Sequence, residues 1–168
     1  MILLVFLVLG GLAQSAEERS VQEWVGKVDQ WFTVEEAAGI AGQDAAAARK
    51  EHLRSEKHPI TEVVEYAWKS DRTRQTTGAV KMTLPVENSI KVGWLRRTTL
   101  RDLQDLRSYT TGEDLPGVGE FAFLAEQGQQ YIFFKNGVRF SVWVNLSDDP
   151  KVNTAKAIEV ARLLLAKL

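Results

Sequence analysis

The stretch QQYIFFKNGVRFSVWV, residues 129–144, decides the architecture of this chain. Asn136-Gly137 stands between two apolar runs, and both central positions of a type I′ turn need positive φ, which Asn and Gly tolerate. The turn pairs Phe133 with Phe140 and Tyr131 with Val142 across a hairpin. Alternation then sends Val138, Phe140, Val142, Val144 and Leu146 inward, and Arg139, Ser141, Trp143 and Asn145 outward. The inward face needs a cover. Asp149-Pro150, or Asn153 just beyond, opens a last helix whose Ile158, Ala161, Leu164, Leu165 and Leu168 form an apolar stripe of the right breadth.

Upstream, three further runs alternate: Val64-Tyr66-Trp68, Val80-Met82-Leu84 and Ile90-Val92-Trp94, with residues 85–89 as a turn. They predict a three-strand meander. Thr99 caps a helix carrying Leu100, Leu103, Leu106 and Tyr109 on one side, and Phe121 and Phe123 begin the next strand. Thr33-Val-Glu-Glu36 is a capping box that opens a short helix ending at Gly42, and Ser20-Val-Gln-Glu23 is another, preceding Val21, Trp24, Val25, Val28, Trp31 and Phe32 at helical spacing. Residues 45–57 read as a helix or a mobile loop. The order predicts an α+β fold: an antiparallel sheet of about six strands in two meanders, with helices packed on one face. A single domain spans residues 33–168, preceded by an amphipathic helix at 17–32.

LPGVGEFAF, residues 115–123, contains the spacing G-x-G-x-x-A. A dinucleotide fingerprint needs a strand before the first glycine and a helix after it. Here a polar loop precedes and a strand follows, so the glycines turn the chain and no cofactor is expected.

TVEEAAGIAG, VVEYAW, LPGVGEFAF, YIFFKNGVRFSVWV and AIEVARLLLAKL together resemble a group of exported bacterial proteins and lipoproteins that share a Gly-x-Gly-(Asp/Glu)-x-Ala turn before a strand hairpin. The resemblance covers roughly residues 33–168 and implies a layered α+β fold, like the Mog1/PsbP-like class, with no catalytic residues to carry over. Many of those proteins have a lipobox cysteine. This chain has no cysteine, so it lacks a lipid-accepting thiol, a disulfide framework and thiol chemistry.

The apolar run from Ile2 to Ala13, followed by small and polar residues, has the shape of a secretory signal peptide over residues 1–16 and is too short to span a bilayer. It places the mature chain, starting near Ala16, in the periplasm or outside the cell, with no stable membrane span after cleavage. A net charge of −1 argues against nucleic acid as a partner.

Catalytic groups are sparse. His52 and His58 are the two histidines, six apart in a charged segment and without a metal-ligand motif, so no metal is expected. Glu35-Glu36 and Asp148-Asp149 sit where helix starts favour negative charge. Between Lys69 and Arg107, nine basic residues face four acidic ones, a local surplus of five. That surplus reads either as a binding face or as the solvated side of a meander with Trp68 and Trp94 in the core. The candidate binding residues are Trp68, Arg72, Arg74, Arg96, Arg97, Arg101 and Trp143, the last being a contact surface or, under a covering helix, core. The expectation is a non-catalytic exported binding module engaging a protein or an anionic envelope component. The alternatives are a small periplasmic hydrolase using His52 or His58, and an enzyme inhibitor inserting residues 85–89 or 110–116.

Overall fold

The computed structural model describes residues 26–55, 60–77, 81–95, 98–126 and 129–168. The expected signal peptide, most of the expected 17–32 helix, His58, Val80, Arg96 and Arg97 lie outside the described residues. In chain order the elements are α1 (Val28–Trp31), α2 (Val34–Ala41), a 3-10 turn (Ala45–Ala47), β1 (Arg49–Arg54), β2 (Ile60–Trp68), β3 (Thr73–Gln75), β4 (Thr83–Pro85), β5 (Asn88–Leu95), α3 (Leu100–Tyr109), β6 (Phe121–Ala125), β7 (Gln130–Lys135), β8 (Val138–Asn145) and α4 (Pro150–Leu165).

Six strands form one antiparallel sheet in the order β1-β2-β5-β8-β7-β6. It consists of two meanders, β1-β2-β5 and β6-β7-β8, joined along β5 and β8. The hairpin forms as its sequence dictates: Asn136 and Gly137 have φ of 50° and 75°, Phe133 pairs with Phe140 and Tyr131 with Val142. The first meander recruits residues differently from the reading above. Residues 49–54, read as helix or loop, are an edge strand, because the sequence RKEHLR offers a helix no apolar stripe while its backbone pairs with β2, His52 opposite Val64. Met82 and Leu84 stay out of the sheet. They lie on the separate β3–β4 ribbon, 55% and 37% exposed, and β5 pairs with β2 directly, Val92 opposite Val64. Pro85 has no N–H to give a central ladder, and Ile90, Val92 and Trp94 bury a larger apolar row than Met82 and Leu84 could.

One face of the sheet carries the main core. Val64, Tyr66, Trp68, Ile90, Val92, Trp94, Phe133, Phe140, Val142 and Val144 are buried there under Val28, Phe32, Ile40, Ala157, Val160, Ala161 and Leu164 of the amino-terminal segment, α2 and α4. Helix α3 is the exception to the shared face. Its Leu103 packs with Phe123, Ala125, Ile132 and Phe134 on the opposite side of β6 and β7. Tyr109, on the far turn of α3, is left 85% exposed. The rest of that second face, on β1, β2, β5 and β8, carries no helix among the described residues.

Residues 26–32 are bound to the domain. Val28 and Phe32 are buried, Tyr66 Oη donates to the Phe32 carbonyl at 2.8 Å, Lys50 pairs with Asp29 at 2.8 Å, and Lys167 Nζ reaches the Trp31 carbonyl at 2.5 Å. The Lys50 ammonium holds the Asp29 carboxyl below its usual range. Capping boxes close the starts of both α2 (Thr33 with Glu36) and α3 (Thr99 with Asp102), as their spacing requires.

The G-x-G-x-x-A stretch is a turn into a strand. Gly119 has φ of 68°, and a Cβ there would meet the Phe134 carbonyl at 2.6 Å, the carbonyl to which Glu120 N donates. Gly117 also has positive φ but open space around it. Gly119→Ala is therefore expected to cost more than Gly117→Ala, about 2–3 kcal/mol against about 1 kcal/mol, in urea denaturation. Equal costs would show that the Phe134 contact is not limiting.

Burial raises the Tyr66 hydroxyl to about 12. Because the folded value lies above the unfolded value near 10, the stabilisation is intact below pH 10 and is lost as pH rises toward 12. Relative to Tyr66→Phe, the wild type is expected to lose on the order of 2 kcal/mol across that window. Parallel stability curves for the two proteins would contradict the assignment.

Candidate functional site

Helix α4 starts at the carboxyl end of β8, and the β3–β4 ribbon leaves the sheet between β2 and β5. Between them lies an open cleft of about 550 Å3, lined by Thr73, Arg74, Pro85, Gln129, Trp143 and Asp148 among others. Its walls are set by the local sequence. Asp149 caps α4 by accepting from Lys151 N at 2.9 Å, and Pro150 follows at the first helical position. Asn153 Oδ1 accepts from Leu146 N and Ser147 N, both at 3.0 Å, while its Nδ2 donates to the Ser147 carbonyl at 2.8 Å. The turn from β8 into α4 is thus closed on itself.

Arg72 bolts the ribbon to this turn. Its Nε donates to Asn88 Oδ1 at 3.0 Å, Nη1 to Asn145 Oδ1 at 3.2 Å and to Asp148 Oδ1 at 3.1 Å, and Nη2 to the Asn145 carbonyl at 2.8 Å. Ser70 supports the bend by accepting from Arg72 N at 3.1 Å and donating to the Val86 carbonyl at 2.5 Å. The Arg72 side chain is 17% exposed and that of Asp148 82%, so the ion pair is weak and the bonds to Asn88 and Asn145 carry the fixation.

The candidate residues separate accordingly. Trp68 is core, 2% exposed, with its indole N–H given to the Asp44 carbonyl at 2.9 Å, so it presents nothing to a ligand. Arg72 has all three guanidinium nitrogens engaged internally and is a structural clamp. Arg74 is exposed on β3, where its backbone pairs with Leu84, and its side chain makes no hydrogen bond or ion pair among the described residues. Trp143 is partly exposed on the helix-free face and lines the cleft with Arg74. Arg101 is exposed on α3, a different element. The basic surplus is further divided because Lys91 pairs with Glu65 at 2.9 Å and Arg107 with Asp114 at 2.7 Å. The structure therefore brings Arg74 and Trp143 together in one cleft and leaves Trp68, Arg72 and Arg101 out of its lining.

A second polar cluster has no signal in the sequence. Glu62, 1% exposed, accepts from His52 Nε2 at 2.5 Å, from Gly26 N at 2.8 Å and from Trp94 Nε1 at 3.3 Å. Three donors compensate its burial. Among the described residues no Ser or Thr hydroxyl bonds His52, and no group of three or more potential metal ligands is present. Residues 111–115 run along the outer edge of β6, with Leu115 N donating to Ala122 O and Leu124 N to Glu113 O, so the expected inserting loop at 110–116 is half-built into the sheet.

Comparisons with family models, curated proteins and solved structures find no match. The cleft is the basis for a functional reading.

Arg72→Lys is expected to destabilise the protein by about 2–3 kcal/mol in urea melts, because an ammonium cannot reproduce the planar fork across Asn88 and Asn145. Arg74→Lys should change stability by less than about 0.5 kcal/mol. Indistinguishable melts would remove Arg72 from its structural role.

Proposed function

We propose that this protein is an exported, non-catalytic binding module that recognises a protein or anionic envelope component in the cleft between the β3–β4 ribbon and the β8–α4 turn. The observation that carries the reading is the division of labour inside the cleft. Its frame residues, Arg72, Asn145 and Asn153, spend their hydrogen bonds on one another and on the backbone, whereas Arg74 and the Trp143 ring have none of theirs so committed among the described residues. A rigid frame lowers the ordering cost of binding. Since Asp148 and Arg72 offset each other, Arg74 supplies the net charge and selects a negative group, while Trp143 offers a flat apolar surface with an indole donor.

The export part of the reading rests on the amino-terminal apolar run. The non-catalytic part rests on chemistry: the His52 imidazole is directed at Glu62, and Glu62 is itself consumed in holding Gly26 and Trp94. That arrangement fixes the amino-terminal segment to the sheet and gives His52 a structural task.

The test is affinity capture from envelope extract with the chain from residue 16, eluted by a salt gradient. The expected partner leaves at modest salt, and its affinity falls by about tenfold or more in both Trp143→Ala and Arg74→Ala but not in Arg101→Ala. Capture that is indifferent to the first two changes, or lost only with Arg101, would refute the cleft as the site.

A further inference from the structure

Strand β8 places a second arginine on the face of the sheet opposite the main core, next to the Phe134 on which Leu103 of α3 packs. Arg139 stands opposite Leu95 on one side and Phe134 on the other, and shares its face with Ser141 and Trp143 further along the strand. Its neighbours in the sheet are therefore apolar. Its Nε is sealed from solvent and has no acceptor, and no other nitrogen of the group is both sealed and unpaired. Arg139 makes no ion pair or hydrogen bond among the described residues and is only partly buried, so its terminal Nη groups are not sealed off as Nε is. Burial lowers its basicity, and no carboxylate among the described residues offsets the effect.

A partly buried guanidinium is normally paired, because a charge withdrawn from water without a counter-charge is costly. Arg72, at the other end of the same β5–β8 seam, shows the usual solution, with acceptors from Asn88, Asn145 and Asp148. Arg139 has no such set among the described residues. We propose that Arg139 is the receptor for an oxoanion group, a carboxylate or a phosphate of a ligand that lies beside α3 on the face of the sheet opposite the main core. The two Nη groups form an end-on fork that matches the spacing of two oxygens on either anion. Leu95 and Phe134 lower the local dielectric, which strengthens that pairing once water is displaced. The site is separate from the Trp143 cleft, whose lining does not include Arg139, and it stands or falls independently of Arg74.

The experiment is isothermal titration and thermal unfolding of the full chain at constant ionic strength, with acetate in one arm and inorganic phosphate in the other. The controls are Arg139→Met, which keeps an apolar stem without the charge, and Arg139→Lys, which keeps the charge without the fork. The wild type is expected to bind at least one anion saturably and to gain thermal stability from it. Arg139→Met should melt higher than the wild type without anion and show no saturable response, and Arg139→Lys should bind about tenfold more weakly or worse. A response to acetate alone assigns a carboxylate, to phosphate alone a phosphate group, and to both an unselective fork. Should neither anion bind saturably, or should binding persist in Arg139→Met, the proposal is overturned. If Arg139→Met does not fold, the comparison of wild type with Arg139→Lys decides by the same criterion.

Discussion

The seam between β5 and β8 is the constraint on which the rest of the molecule depends. Each meander buries one face only if the other meander continues the sheet, and the seam makes that continuity by pairing Ile90 with Val144, Val92 with Val142 and Trp94 with Phe140. All six of those side chains are at most 2% exposed. At roughly 2 kcal/mol per large apolar side chain this row alone outweighs any surface ion pair in the structure. It also explains why residues 69–77 and 81–87 stay out of the sheet. Once β5 lies against both β2 and β8, no place is left in the sheet for the strand that Met82 and Leu84 would have made.

Extrusion of the ribbon has a functional consequence. A two-stranded ribbon has little stability of its own, so its position must be fixed from outside, and Arg72 does this by bonding Asn88 at the start of β5 and Asn145 at the end of β8. The cleft beside Trp143 is a by-product of that fixation. At the opposite end of the seam, where Leu95 meets Arg139, no comparable set of acceptors exists among the described residues. Two arginines on one seam thus differ in what is left for a ligand, and the difference lies in their neighbours rather than in the residues.

Much of this architecture is legible in the sequence where the signal is local. The Asn136-Gly137 turn, the Thr33 capping box and the Thr99 cap are each decided by two to four consecutive residues and form as read, and of the two starts read for the last helix it is Asp149-Pro150 that forms. The edge strand at 49–54 was illegible because its pairing with β2 is a tertiary event and RKEHLR has no period of its own. The candidate site divides in the same way. Alternation placed Trp143 on the outward face correctly, but nothing local distinguishes Arg72 from Arg74, two residues apart with opposite fates. The Glu62 cluster was hidden for the same reason, since its donors come from residues 26, 52 and 94.

The claim that the arginines divide into clamps and receptors is tested most directly by the hydrogen-exchange rates of arginine Nε protons, measured by NMR on the free protein. The account predicts that the Arg72 Nε–H, bonded to Asn88, exchanges far more slowly than that of Arg74 and is insensitive to salt. Exchange of Arg72 as fast as that of Arg74 would mean that the ribbon is not bolted to the seam and that the cleft is not a preformed site.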